Sequence, residues 1–238
     1  MHKIFNDRLR KKYHAQVIGI TGESGVGKTE ISAILTTLLP RSVHIHAGDY
    51  RRVVLKRHKD ELFAKYGSSV LDETYQVAHE FIINNPEQYE EIKKAIQPEF
   101  DEELLNAVKK AKRNYSYVIV ERTNLMNMKA WRLCDTKVLI QASLEKRNAF
   151  RMIRGDHVGH KLEDLGMRDK LSTHSYDKCY FHIVLFNEHT LDSFKSLAVT
   201  IAKLIKTDYI KPKKTMEVSA ITIDKDKHIP LMREKPRF

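Results

Sequence analysis

The stretch GITGESGVGKTE, residues 19–30, decides the fold. Residues 22–29 satisfy the pattern G-x-x-x-x-G-K-[ST], which is typical of a loop that binds the phosphates of a nucleoside triphosphate. The apolar run AQVIGIT before it is typical of a buried strand, and a helical pattern follows it to about Leu39. This order of strand, glycine-rich loop and helix is the context in which the pattern is specific.

Each part of the loop has a physical purpose. Gly25 and Gly27 allow the backbone to turn its N–H groups around the phosphates, and the positive end of the following helix faces the same anion. Lys28 is predicted to reach the β- and γ-phosphate oxygens, and the Thr29 hydroxyl is predicted to bind Mg²⁺. ATP and Mg²⁺ are therefore expected. The predicted phosphate-binding residues are Gly22, Glu23, Ser24, Gly25, Val26, Gly27, Lys28 and Thr29.

The rest of the chain predicts an α/β fold. Four further segments have strand character, and residues 50–114 show only helical spacing, with breaks expected at Gly67, at Asn84-Asn85-Pro86 and at Pro98. Strands that alternate with helices predict a mostly parallel, five-stranded sheet covered by helices on both faces. The four further predicted strands are residues 42–47, 115–120, 137–142 and 181–186.

Acidic residues follow or end two of these strands. Asp49 follows the second predicted strand and Glu121 closes the third. Because ligands of parallel α/β sheets bind at the carboxyl ends of the strands, both acids are predicted to line the site. Asp49 is a candidate catalytic base, acceptor-binding residue and metal ligand, and Glu121 is a candidate acid on the acceptor or metal side. Arg51 and Arg52 come directly after Asp49 and are candidates to bind a phosphate of the acceptor.

Three arginines recur on one predicted helix face. Arg147, Arg151 and Arg154 are spaced by four and three residues, and Arg168 lies in the polar segment beyond them. Planar guanidinium groups match the negative charge on a transferring phosphoryl group. We expect Arg151 and Arg154 to act in catalysis and Arg168 to bind the acceptor, within a lid at about residues 147–175 that excludes water. The alternative is a solvated basic helix face.

Composition excludes several other classes of protein. The two cysteines, Cys134 and Cys179, are far apart and form no disulfide framework or metal motif, which favours a reducing cytoplasmic compartment. No apolar run is long enough for a membrane span, and residues 1–14 lack the pattern of a signal peptide. The formal net charge of +11 is concentrated at the two ends, which are interpreted as solvated. The alternatives are attraction of a polyanionic substrate and weak binding of nucleic acid.

Several motifs together resemble the P-loop nucleoside and nucleotide kinases, and within them dephospho-CoA kinase. The resemblance implies a three-layer α/β/α fold, and transfer of the γ-phosphate of ATP to a hydroxyl of a nucleotide-like acceptor, the ribose 3′-hydroxyl of dephospho-CoA, in coenzyme A biosynthesis. It also implies that Arg147 and Asn187 bind the nucleotide. The matching stretches run from about residue 16 to 206: VIGITGESGVGKTEIS, HAGDYRR, LFAKYGSSVLDE, HEFIINNPEQYEEIKKAIQPEF, CDTKVLIQASLEKRNAFRMIRGD and CYFHIVLFNEHTLDSF.

The resemblance also implies a domain organisation. A P-loop kinase domain is expected at residues 15–206, with a helical acceptor-side insert at about 50–114 and the lid described above. Residues 1–14 form a basic N-terminal arm and residues 207–238 a basic, proline-containing C-terminal tail.

The acceptor side departs from the family pattern at three places. Asp49 stands alone where the family has an Asp-x-Asp pair, and Gln97 stands where a histidine usually precedes proline. The stretch ERTNLMN, residues 121–127, replaces the usual Pro-Leu-Leu-Phe-Glu. Two alternatives therefore stay open. One is a uridine-kinase-like nucleoside or nucleotide kinase, because Gly48-Asp49-Tyr50 resembles the acceptor-base motif of such enzymes. The other is a non-catalytic nucleotide-binding protein with nucleic-acid or protein partners.

Overall fold

The computed structural model describes residues 15–153, 181–188, 191–207 and 216–219. The N-terminal arm, most of the predicted lid and most of the C-terminal tail lie outside these residues. Within them, no helix is both long and apolar enough to cross a membrane.

The described strands form one parallel sheet in the order β2-β3-β1-β4-β5-β6. The five predicted strands are confirmed. The sequence analysis did not identify β6, because its four residues lie in the basic, proline-containing tail and pair only with the edge of β5. The strands are β1 (Gln16–Thr21), β2 (Ser42–His46), β3 (Tyr117–Glu121), β4 (Thr136–Gln141), β5 (Ile183–Phe186) and β6 (Met216–Ser219).

Helices connect these strands, and those between β2 and β3 form the longest connection in the described chain. Short 3₁₀ segments occur at Ser68–Val70, Leu125–Asn127 and Lys129–Leu133. The helices are α1 (Lys28–Leu38), α2 (Ala47–Arg57), α3 (Lys59–Tyr66), α4 (His79–Asn84), α5 (Pro86–Asn114), α6 (Leu144–Ile153) and α7 (Leu191–Lys206).

The sheet is buried on both faces, which confirms the α/β/α arrangement. Side chains alternate along β3, so that Val118 belongs to the core under α2–α5 and Ile119 to the core under α1 and α7. Both are fully buried. A strand buried on two faces reads as a continuous apolar run, and this is why the strands were recognisable in the sequence.

The break predicted at Pro98 was wrong. Gly67 and Asn85 do end helices, but α5 continues through the exposed Pro98 to Asn114. The residues Ile92, Ile96, Phe100, Leu104 and Val108 form a buried stripe on both sides of the proline. Burial of this stripe outweighs the lost hydrogen bond and the ring clash, which together cost about 3 kcal/mol.

Replacing Pro98 by Ala is expected to stabilise the protein, because α5 already forms around the proline. The alanine restores a backbone donor and removes the ring clash, which is expected to raise the free energy of unfolding by about 1–3 kcal/mol. Urea unfolding followed by circular dichroism measures the change.

The matched control is Pro86→Ala, at the first position of the same helix. There the missing N–H has no partner to lose and the fixed φ favours the helix, so stability should stay equal or fall by less than about 1 kcal/mol. A loss of stability in Pro98→Ala would show that packing of α5 requires the proline.

Candidate active site

The candidate site lies at the carboxyl edge of the sheet, where β1, β2 and β3 end side by side. In the sheet register, Glu121 of β3 pairs with Ile20 of β1 on one side and with His46 of β2 on the other. The phosphate loop continues directly from β1, and Asp49 lies in the first turn of α2, directly after β2. Parallel pairing therefore brings the loop and both predicted acids to one edge.

The backbone of the phosphate loop requires glycine at two of its turns. Gly25 has φ +84°, and a Cβ atom there would lie 2.8 Å from the Arg147 carbonyl oxygen. Gly27 has φ +92° and is the N-cap of α1, where no side chain caps the helix. The first N–H groups of α1 are therefore left to an anion rather than to a capping side chain.

Three carbonyls of the loop accept hydrogen bonds from side chains. Lys28 Nζ donates to Glu23 O at 2.7 Å and Asn187 Nδ2 donates to Val26 O at 3.0 Å. The third carbonyl, that of Ser24, accepts from α6. Because each peptide unit is planar, these bonds fix the orientation of the loop N–H groups as well.

Two of the predicted arginines hold the loop from α6. Arg151 Nη2 donates to Ser24 O at 3.1 Å, and Arg147 Nη1 lies 3.0 Å from Glu23 Oε2. Both arginines are buried, at 3% and 7% exposure. A solvated basic helix face would leave them exposed, so that alternative is wrong for Arg147 and Arg151; their roles in nucleotide binding and catalysis stay predictions. Arg154 and Arg168 lie outside the described residues.

Glu121 is the most deeply buried acid of the site, at 1% exposure. His44 Nε2 lies 3.3 Å and His46 Nε2 lies 3.8 Å from its Oε1 atom. Burial alone would raise the pKa of Glu121, but His44, Thr29 and Lys28 together bring it below its ordinary value. Glu121 is thus a carboxylate at neutral pH, next to Lys28 and Thr29 at the end of the phosphate loop.

The surroundings of Glu121 fit a magnesium ion. Within the described part of the chain, neither carboxylate oxygen receives a well-directed hydrogen bond. Buried oxygens without partners are costly unless a ligand or water satisfies them. Mg²⁺ is usually held by one or two protein oxygens together with substrate phosphates, and Glu121 and Thr29 offer such a pair. The described residues contain no cluster of three His, Cys, Asp or Glu side chains for a metal.

Asp49 lies nearer the solvent than Glu121, with its side chain 56% exposed. His46 Nδ1 is 3.2 Å from Asp49 Oδ1, and Arg52 Nη2 donates to the same oxygen. Arg52, a predicted acceptor-binding residue, is therefore engaged with the predicted base. His46 lies between Asp49 and Glu121 and approaches both.

The sequence analysis missed several polar residues at this edge. His44 and His46 surround Glu121, and Arg122 and Asn124 line a cavity of about 240 Å³ beside it. The two histidines stand two residues apart on β2, so they share one face of the strand, and that spacing was the available signal. Arg122 gave no signal, because a lone arginine after a strand has no motif.

Comparison with known proteins identifies a family and a fold. The model of the dephospho-CoA kinase family matches residues 16–188. No curated protein matches the chain significantly in sequence. The crystal structure of TT1252 from Thermus thermophilus superposes with a TM-score of 0.57 at 20% identity, covering 80% of this chain and 98% of that one.

Two further kinase structures superpose less closely. Shikimate kinase from Acinetobacter baumannii in complex with shikimate has a TM-score of 0.47 at 16% identity, covering 84% of this chain and 97% of that one. A putative kinase from Chloroflexus aurantiacus has a TM-score of 0.43 at 14% identity, covering 82% and 98%. The family match spans well over half of the chain, and its fold is the α/β/α fold of P-loop kinases: the chain belongs to the dephospho-CoA kinase family.

Proposed function

We propose that the protein is an ATP-dependent kinase that transfers the γ-phosphate to a hydroxyl of a nucleotide-like acceptor, with the ribose 3′-hydroxyl of dephospho-CoA as the first candidate. Family membership supports a nucleotide kinase, and the observation that carries the proposal is the buried Glu121 carboxylate beside Lys28 and Thr29. A phosphate loop alone binds nucleotide, whereas a loop joined to a charged acid is arranged for phosphoryl transfer.

On the donor side, the loop backbone and Lys28 bind the triphosphate. The Lys28 ammonium, which now donates to Glu23 O, is close enough to the loop to reach the phosphate oxygens. Arg147 and Arg151 add two guanidinium groups next to the loop, where they offset charge on the transferring group. Asn187 holds the Val26 carbonyl and so fixes the loop from β5.

Mg²⁺ fits at Thr29 and Glu121, where it would neutralise charge on the phosphate oxygens when bound. Asp49 remains a second candidate ligand, through water. The chain's own contribution is a buried, preorganised carboxylate that needs no rearrangement to accept a cation.

On the acceptor side, Asp49 is the proposed base. It would take the proton of the attacking hydroxyl as the hydroxyl oxygen bonds to the γ-phosphorus, while the bond from that phosphorus to the bridging oxygen breaks and ADP leaves. His46 and Arg52 fix the orientation of the Asp49 carboxylate. Exposure of Asp49 leaves room for the acceptor to approach. Such an enzyme would act in coenzyme A biosynthesis in the cytoplasm.

Lys28→Ala is expected to slow transfer strongly, because the developing charge on the phosphate oxygens loses its cation. We expect kcat to fall by roughly 10²–10³-fold with an unchanged circular dichroism spectrum. Transfer of labelled γ-phosphate from ATP to dephospho-CoA is the measurement. Lys109→Ala, at an exposed position of α5, is the matched control and should retain full activity. Full activity in Lys28→Ala would refute the assignment.

Glu121→Gln tests the magnesium site separately from the base. The variant keeps the size of the side chain but removes its charge, so the Mg²⁺ concentration for half-maximal activity should rise roughly 10- to 100-fold. Titration of activity with Mg²⁺ at saturating ATP measures it. An unchanged Mg²⁺ requirement would remove Glu121 from the metal site.

Asp49→Asn tests the base. We expect kcat to fall by roughly 10²-fold or more, because an amide cannot take the proton of the attacking hydroxyl. Steady-state kinetics with ATP and dephospho-CoA varied, at saturating Mg²⁺, gives kcat. If turnover stays unchanged in Asp49→Asn, Asp49 is not the base.

A further inference from the structure

The amino edge of the sheet, opposite the candidate active site, concentrates positive charge without acids. The chain has no aspartate or glutamate between Glu30 and Asp49, and none between Glu103 and Glu121. Both acid-free segments run along the amino edge and end at an acid of the carboxyl edge. Five cations and one tyrosine from these segments form what we call the amino-edge surface: Arg41, Lys109, Lys110, Lys112, Arg113 and Tyr115.

Hydrogen bonds join the turn before β2 to the end of α5, and so bring the two segments together. Arg41 Nη2 donates to the Asn114 carbonyl oxygen at 3.4 Å, and the Ser116 N–H donates to the Arg41 carbonyl oxygen at 2.8 Å. The Gln16 N–H donates to the Ser116 carbonyl oxygen at 2.9 Å, so β1 begins at the same place. The chain therefore reaches this edge directly after residues 1–14, which contain five lysines and arginines and one aspartate.

The local fold does not account for these cations. Arg41 has φ +51°, a conformation that glycine and asparagine adopt more readily, so the turn itself does not select an arginine. The last turn of a helix favours cations, which suits Lys112 and Arg113 but not the two lysines one turn earlier. Lys109 and Lys110 precede Arg113 by four and three residues, a spacing at which like charges repel. Among the described residues, no carboxylate forms an ion pair with any of the five cations.

Tyr115 distinguishes between the polyanions that could bind this surface. It follows the last residue of α5 and, at 40%, is the most exposed aromatic residue of the described chain. An aromatic ring beside cations is suited to stacking on an unpaired base, whereas binding to a membrane surface combines cations with apolar side chains that enter the lipid. The described exposed aliphatic residues lie elsewhere, on α2, α6 and α7: Val53, Leu144, Met152 and Val199.

We propose that the amino-edge surface binds single-stranded nucleic acid, with its cations on the backbone phosphates and Tyr115 stacked on a base. The surface lies at the opposite edge of the sheet from the phosphate loop, so this inference does not depend on the proposed kinase function. Cations that replace the counterions of a nucleic acid make binding weaker as salt rises, and stacking adds a contribution that salt does not remove.

Fluorescence anisotropy of a labelled single-stranded RNA of about 20 nucleotides tests the charges. The full chain is titrated in the presence of Mg²⁺ and ADP, which occupy the phosphate loop. The double variant Lys110→Gln, Arg113→Gln should bind roughly 10- to 30-fold more weakly at about 0.1 M salt, and its slope of log affinity against log salt should be shallower by about 1.4. The matched control Lys94→Gln, Lys195→Gln removes two exposed lysines outside the surface and should change neither quantity.

Tyr115→Ala tests the stacking. It should weaken binding roughly 5- to 100-fold without changing the salt slope, because a stacked base releases no counterions. Tyr115→Phe keeps the ring and should keep the affinity. A single-stranded DNA of the same length, measured beside the RNA, shows which kind of strand binds more tightly. All of these variants should retain the circular dichroism spectrum of the unmodified protein.

Affinity for both strands that is equal in the unmodified protein and in the double variant would overturn the proposal, as would the absence of binding at about 50 mM salt. An unchanged affinity in Tyr115→Ala, or equal affinity for duplex and single strand, would show that no unpaired base is stacked and would also overturn it. Binding to phosphatidylserine vesicles without binding to either strand would assign the surface to a membrane instead.

Discussion

The parallel pairing of β1 with β3 is the constraint on which the candidate active site at the carboxyl edge of the sheet depends. It pairs Ile20, at the end of the strand that leads into the phosphate loop, with Glu121, although α1, β2 and the helices α2–α5 lie between the two residues in sequence. A carboxylate buried to this extent is tolerated only beside cations and donors, and Lys28, Thr29 and His44 supply them. Displacement of either strand by one residue would turn the acid away from the loop and bury it without partners.

The same edge separates donor and acceptor functions by structural element. The donor side is held by short contacts between the loop carbonyls and side chains of α1, α6 and the end of β5, all of which are already formed. On the other side of Glu121, a cavity is lined by Arg122 and Asn124, and the Asn124 Oδ1 atom is buried without a hydrogen-bond partner among the described residues. The two sides of the edge therefore differ in how far their polar groups are satisfied by the chain itself.

Local sequence predicted the parts that depend on local physics. The glycine loop, its strand and its helix follow from backbone conformation and apolar periodicity, and the positions of Asp49 and Glu121 at the sheet edge follow from the parallel topology. The break predicted at Pro98 was wrong because burial of the apolar stripe of α5 outweighs the helix-breaking preference of proline. The strand β6 was not predicted because four residues are too few to show an apolar periodicity. Arg122 and Asn124 were missed because their cavity is assembled from α5 and the segment after β3, which only tertiary contacts bring together.

The product formed from ATP and dephospho-CoA is the most direct test of the account. Phosphorus NMR and mass spectrometry of the reaction mixture would identify it. The account predicts one ADP for each acceptor consumed and a new phosphate monoester on the ribose 3′-oxygen. Formation of ADP without a phosphorylated acceptor, or no turnover with dephospho-CoA, nucleosides or nucleoside monophosphates, would contradict it.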